Sequence, residues 1–296
     1  MFFFIKRAFK RFITEFFGWL ADKKIGFITF LAIKLFIKIY KIDMSESREN
    51  NLRLYLTFND FFARSLKIEE REYILEEQHL LQPVDGRVSQ IGLIDDTYML
   101  QAKGHFYNLN SLLTNQKHLI NKFCNGKFIT IYLSPSNYHR VHMPCDGLLK
   151  EMIYVPGEFF SVNAFSVKNI SNLFARNERL ICIFETHIGL MAQILVGSVI
   201  VGSINTVWCG CVNTNRNSGI KRWIYPNINF EGSVFLKKGC EMGLFKLGST
   251  VINLFEPNKL IFNSTLTPGF ITQVGELLAE PVYVKNVKIV NKLTES

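Results

Sequence analysis

The chain has 296 residues, 48% of them hydrophobic and 20% charged, which is enough to bury a substantial core and excludes an intrinsically disordered protein. Its formal net charge is +9. In the first 41 residues nine bases (Lys6, Arg7, Lys10, Arg11, Lys23, Lys24, Lys34, Lys38, Lys41) face only Glu15 and Asp22, so the charge belongs to the N-terminus and the body is close to neutral.

The opening stretch, MFFFIKRAFKRFITEFFGWLADKK, repeats Phe9, Phe12, Ile13, Phe16, Phe17 and Leu20 at helical spacing. Lys6, Arg7, Lys10 and Arg11 fall mostly on the other side, which predicts an amphipathic helix with a wide aromatic stripe. A second stretch, IGFITFLAIKLFIKIYKI, spaces Lys34, Lys38 and Lys41 by four and three. Its longest uncharged run, Ile25 to Ile33, is too short for a membrane span, which needs about 20 apolar residues. Charges interrupt the apolar stretch and no small-residue cleavage site follows, so a signal peptide fits poorly. Two readings stay open. One is a pair of core helices with solvated lysines. The other, favoured by the clustering, is docking at a membrane surface, with Phe and Trp19 at the acyl boundary and Lys and Arg on anionic headgroups. The stripe opposite the charges is no stacking platform, so no nucleic acid is expected.

After a polar break, KIDMSESREN, the stretch NLRLYLTFNDFFARSLKIEERE reads as a helix and then a turn. From about Leu80 short β-rich runs such as GKFITIYLS, ERLICIFETHI and MAQILVGSVIVGSI alternate with Gly, Pro and Asn. The expected class is α+β: N-terminal amphipathic helices over 1–44, then a mainly antiparallel β core over 45–296. No Walker loop, G-x-G-x-x-G or G-x-S-x-G elbow occurs. The six cysteines, several within apolar runs such as LICIF, suit a reduced, cytosol-facing protein with buried thiols rather than a disulfide framework. Cys209-Gly-Cys211 lacks zinc-ribbon spacing, so no metal is expected there.

Three stretches carry chemistry. QPVDGRV sets Asp85 before Gly86 and reads on composition as a turn entering a strand. SNYHRVHMPCDG holds His139 and His142, either structural histidines or, with Cys145, metal ligands. GLFKLGSTVINLF reads as a buried strand interrupted by Gly248, Ser249 and Thr250. Asp, His and Ser are the parts of a nucleophilic relay. Ser249 lies in an apolar strand pattern rather than on an exposed elbow, and the nearest carbonyl is that of Gly248. A residue without Cβ there permits a hydroxyl to attack the preceding peptide carbonyl, so the natural substrate of this serine is its own chain.

From about residue 50 to 285 the chain resembles the phosphatidylserine decarboxylases of bacterial type, pyruvoyl enzymes of phospholipid synthesis. The resemblance rests on FFARSLK, PVDGRV, YHRVHMPCDG, VPGEFFSVN, ARNERL, ILVGSVIVGSI and KGCEMGLFKLGSTVINLF, in that order. It implies that Ser249 attacks the Gly248 carbonyl and that the ester eliminates to a pyruvoyl group, the only cofactor. The chain would then be a heterodimer of its own fragments, 1–248 and 249–296. The family's cleavage relay falls here on Asp85, His142 and Ser249, and the position tied to decarboxylation falls on His139. The amine of phosphatidylserine would form a Schiff base with the pyruvoyl ketone, lose carbon dioxide and leave phosphatidylethanolamine. A histidine of near-neutral pKa would suit the proton transfer. The expected location is the cytoplasmic face of the cell membrane, peripherally bound; homo-oligomerisation is left open. Phe159 and Phe160 would line an acyl entrance or simply fill the core. His187 departs from the acidic or polar residue expected there and reads as a strand-end histidine. The rival readings are a membrane-docked β-sandwich that binds lipid without chemistry, and a serine hydrolase acting on an external ester.

Overall fold

The computed structural model describes residues 14, 16–67, 71, 76–102, 104–198, 203–212, 219–246 and 249–282. Phe9, Phe12 and Ile13 of the predicted stripe, the bases Lys6, Arg7, Lys10 and Arg11, and Gly248 lie outside the described residues.

Residues 16–21 are helical and lead into α1 (Phe27–Tyr40). The polar break then gives way to the short helix α2 (Phe58–Phe62). A capping box starts α2: the Thr57 hydroxyl accepts from the Asp60 N–H, and the Asp60 carboxylate accepts from the Thr57 N–H. Ile33 on α1 packs on Phe61 and Ile42, with Phe36 and Ile37 beside them. The outward side of α1 is not polar: Phe27, Ile28, Leu31, Leu35 and Ile39 are all exposed.

From Leu80 on, the described residues are mainly antiparallel β with a few short helices, as the alternation of short apolar runs predicts. In chain order the first strands are β1 (Leu80–Leu81), β2 (Gly86–Leu93), the hairpin β3 (Tyr98–Ala102) and β4 (His105–Asn108), β5 (Lys127–Leu133), β6 (Arg140–His142) and β7 (Gly147–Val155). There follow β8 (Arg179–Thr186), β9 (Gly189–Val196), β10 (Ser203–Thr206), β11 (Gly210–Cys211), β12 (Lys221–Ile224) and β13 (Phe235–Leu236). The last are β14 (Glu241–Lys246), β15 (Ser249–Phe255), β16 (Leu260–Phe262), β17 (Ile271–Thr272) and β18 (Leu277–Pro281).

A nine-stranded sheet runs in the order β12-β7-β8-β9-β15-β5-β2-β17, with β13 also on β7. Its central strands are buried on both faces, which is why LICIF and TVINLF read as continuous apolar runs rather than alternating ones. On one face Leu133, Leu180, Leu195 and Val251 meet Val141, Ile204, Met242 and Phe245 of a four-stranded sheet, β11-β10-β14-β6. The other face is covered by the β3–β4 hairpin and the short helices at 109–112, 117–123, 164–169 and 173–176.

Candidate active site

Backbone pairing gathers the singled-out residues at one corner between the two sheets. The segment before β2 lies along the end of β6: the His142 N–H donates to the Pro83 carbonyl (2.8 Å), and the Leu81 N–H to that of Pro144 (2.9 Å). Gly86 then lets β2 press on β5, since a Cβ there would stand 2.5 Å from the Tyr132 carbonyl oxygen. Leu133, at the end of β5, is directly opposite Ser249 at the start of β15. Beyond them both chains cross to the four-stranded sheet, where the Phe245 N–H donates to the His139 carbonyl (3.0 Å). The turn around Asp85, both histidines and Ser249 therefore border one corner, although Asp85 and His139 are 54 positions apart along the chain and His142 and Ser249 are 107 apart.

Ser249 is fully buried, and among the described residues its hydroxyl has no hydrogen-bond partner. An unpartnered buried hydroxyl costs about 1–3 kcal/mol, so its presence at the head of a core strand calls for a reason other than packing. His139 is equally buried. Its Nδ1–H donates to the Asn137 carbonyl (2.8 Å), its ring lies 4.2 Å from that of Phe62, and its Nε2 is without a partner among the described residues. Burial drives its pKa down to about 3. The near-neutral imidazole expected from the sequence is thus a neutral one here, because the site excludes the water that would solvate its cation.

His142 is differently held. A carbonyl only accepts, so the bond to the Gly239 oxygen (2.8 Å) puts the proton on Nδ1 and leaves Nε2 as the acceptor for the Tyr138 hydroxyl (2.9 Å). Burial lowers its pKa, against the opposing pull of the Gly239 carbonyl and the Glu241 and Asp85 carboxylates. Asp85 does not touch the imidazole. Arg71 grips its carboxylate with two N–H groups (2.7 and 2.8 Å), and the Val274 N–H binds Oδ1 as well (2.8 Å). The structure therefore brings Asp85 and His142 to one corner without the direct carboxylate–imidazole hydrogen bond of a Ser-His-Asp relay; the carboxylate acts on the ring through its field.

Several site residues carried no role in the sequence reading. Tyr138 lies inside the quoted YHRVH stretch, four residues before His142, and nothing in the sequence marks its hydroxyl as the partner of that ring. Arg71 had none. Gln193 on β9 reaches across the sheets to the His142 carbonyl (3.1 Å) and looks in sequence like any polar residue in a strand. His187 sits in the exposed turn between β8 and β9, at the far end of those strands, with Nε2 3.2 Å from the Gln78 carbonyl. Phe159 is buried, and Phe160 is partly buried beneath the Arg176 guanidinium at 4.5 Å. No disulfide links the six cysteines; Cys145 and Cys182 are buried, whereas Cys209, Cys211 and Cys240 are exposed. His139 and His142 take separate partners, and among the described residues no three His, Cys, Asp or Glu side chains converge.

The residues fit a pyruvoyl group made from Ser249. The hydroxyl that would be consumed has no partner among the described residues, and two imidazoles with unprotonated Nε2 border its corner. The sequence model of the phosphatidylserine decarboxylases matches residues 58–280. The phosphatidylserine decarboxylase proenzyme of Yersinia enterocolitica is 53% identical over 275 residues, covering 93% of this chain and 94% of that one. Those of Yersinia pestis and Yersinia pseudotuberculosis are 53% identical over 273 residues, with 92% and 93% covered. With a match of this extent on top of a corner built from PVDG, YHRVH and LGST, the chain belongs to the phosphatidylserine decarboxylase family.

Proposed function

We propose that this chain decarboxylates phosphatidylserine to phosphatidylethanolamine with a pyruvoyl group generated from Ser249 when the Gly248–Ser249 bond is cut. The observation that carries the assignment to Ser249 is its buried, unpartnered hydroxyl at the point where the chain changes sheets. For cleavage the hydroxyl must lose its proton. His142 is the base: Gly239 fixes the ring proton on Nδ1, so Nε2 keeps its lone pair, and the carboxylates of Glu241 and Asp85 favour the cation that forms. Tyr138 occupies that lone pair in the uncut arrangement and has to yield it. Arg71 holds Asp85 in place and tempers its charge.

A pyruvoyl group at position 249 would supply the ketone that binds the substrate amine and the electron sink for loss of carbon dioxide. His139 would relay a proton to the carbon that loses carbon dioxide: its Nε2 carries none at rest and first takes up a proton that the substrate ammonium brings in. That nitrogen has no partner among the described residues, and Phe62 and burial keep water from it. The two fragments stay together after the cut, because β15 pairs along its length with β5 on one side and β9 on the other. A serine hydrolase acting on external esters is disfavoured by a nucleophile with no exposed surface.

The substrate lives in a leaflet, and the N-terminal segment brings the corner to it. No helix among the described residues is long and apolar enough to cross a membrane. The exposed Phe16, Phe17, Trp19, Leu31, Leu35 and Ile39 instead form an apolar surface flanked by lysines, suited to peripheral binding on the anionic cytoplasmic face. An apolar groove of about 410 Å³ opens between residues 16–21 and α1. This segment is tied to the site: Asp22 binds Asn59 of α2 (2.8 Å) and Lys246, three residues before Ser249 (3.1 Å). The test is Ser249→Ala. It should remain one uncut chain with no turnover; a cut Ser249→Ala chain, or an uncut wild type with full turnover, would overturn the assignment.

A further inference from the structure

The motif ARNERL, prominent in the sequence, has no part in the account so far. Asn177, Glu178 and Arg179 within it point in different directions. Asn177 clamps the strand ends: its amide donates to the carbonyls of Phe160 and Gly197 (both 2.9 Å) and accepts from the Phe160 N–H (3.0 Å). Arg179, 2% exposed, spends its guanidinium on the backbone carbonyls of Ser111, Leu112, Ala175 and Asn177. Gly157 lies directly on the same backbone, where a Cβ would stand 2.5 Å from the Arg176 carbonyl oxygen and the Glu178 nitrogen. Glu178, locked between these anchors, turns the other way.

The sheet register shows where it points. Arg179 pairs with Val196, and Val196 with Thr250. One step further along the same strands come Glu178, Gly197 and Ser249, and the bond from the Gly197 N–H to the Glu178 carbonyl (2.8 Å) continues the pairing. Leu180, Leu195 and Val251, two residues on in each strand direction, all lie in the core between the two sheets. Side chains alternate, so Glu178, Gly197 and Ser249 share that face. Glu178 is fully buried, and the Tyr154 hydroxyl donates to its Oε1 (2.5 Å). Its Oε2 lies 3.7 Å from where a Gly197 Cβ would be, and opposed residues on neighbouring strands have Cβ atoms about 5 Å apart. With no side chain at 197, nothing from the intervening strand stands on that face between the buried carboxylate of Glu178 on one neighbouring strand and Ser249 on the other.

We propose that Glu178 is the residue that receives the amine of the substrate, an inference that rests on the pyruvoyl assignment at Ser249. Phosphatidylserine arrives as an ammonium, and a buried carboxylate beside an apolar core is a natural counter-ion for it. An ammonium is also no nucleophile. Transfer of one proton turns R–NH₃⁺ and the Glu178 carboxylate into R–NH₂ and a carboxylic acid, with no other bond changed. Tyr154 positions the carboxylate, and Gly197 makes the room.

The test uses Glu178→Gln in the full chain, with vesicles of phosphatidylserine in phosphatidylglycerol. The variant should still be cut, since His142 serves that step. Its small fragment should take up hydroxylamine, a nucleophile already neutral at pH 7, at the wild-type rate by mass. Lipid turnover should fall about 100-fold or more. It should then recover by roughly tenfold for each unit of pH raised, as the substrate amine loses its proton unaided; the wild type should lack that slope. Glu178→Asp, which keeps the charge, should cut and retain more activity than the Gln variant. An uncut Glu178→Gln chain alongside a cut Glu178→Asp chain would place the acid in the cleavage step and overturn the proposal. So would full turnover in Glu178→Gln, or a loss of turnover that rising pH does not restore. A wild-type fragment that takes up no hydroxylamine would instead overturn the pyruvoyl assignment itself.

Discussion

Ser249 Oγ and His139 Nε2 are both buried polar atoms without a hydrogen bond among the described residues, at one corner of the fold. Such atoms are costly, and sites that tolerate them use them. The two histidines should separate by step. His142→Ala should leave the chain whole on a denaturing gel, because no base remains for the Ser249 proton. His139→Ala should still cut and lose turnover; normal cleavage with full activity in that variant would remove its catalytic role. His139 also sets a pH dependence of stability. Its folded pKa of about 3 lies below the ordinary 6.5, so above pH 6.5 it has no effect. As pH falls from 6.5 towards 3 the unfolded chain binds a proton that the folded one refuses, and stability drops by up to about 1.4 kcal/mol per pH unit. Thermal unfolding of Ser249→Ala with His139→Phe should show a shallower acid slope than Ser249→Ala alone; identical slopes would mean that His139 is not held neutral by the fold.

Elements set how closely these residues approach. Gly86→Ala would drive a Cβ into the Tyr132 carbonyl and prise β2 from β5, a cost of about 1–3 kcal/mol that should appear as a lowered Tm and slower cleavage. The N-terminal segment makes a separate prediction. Leu31, Leu35 and Ile39 face outward on α1, while Ile33 holds it to α2. Replacing the three outward residues with Ser should leave cleavage intact and reduce co-sedimentation with anionic vesicles several-fold. Unchanged sedimentation would show that the membrane is held elsewhere. The α+β class, the strand runs and the break before Leu80 were legible in the sequence because apolar periodicity reports burial directly. The outward apolar side of α1 was less so: a helix that is apolar nearly all round hides which side its neighbour covers. The Arg71–Asp85 pair was illegible, since a salt bridge between loop residues leaves no periodic trace. Ser249 stood out in sequence as a Gly-Ser pair interrupting one apolar strand; the structure instead divides that run into two strands in different sheets, β14 and β15, with Ser249 heading the second.

At the scale of the whole molecule, the fold makes a cut chain as coherent as an uncut one. The proposed cut falls between two sheets, and the new end would head a strand at the centre of the larger one, so the small fragment would keep β15, β17 and β18 paired to the large one. The two pieces should therefore elute together in native buffer and separate in denaturant. That arrangement also explains why the site needs no exposed serine: its first reaction is with its own backbone. The measurement that tests this most directly is a denaturing intact-mass spectrum of the purified wild-type protein. Two species should appear, residues 1–248 and 249–296, with the smaller carrying a carbonyl instead of an amine at its start and so resisting Edman degradation. A single uncut mass from fully active protein, or a small fragment beginning with an ordinary serine, would contradict the account.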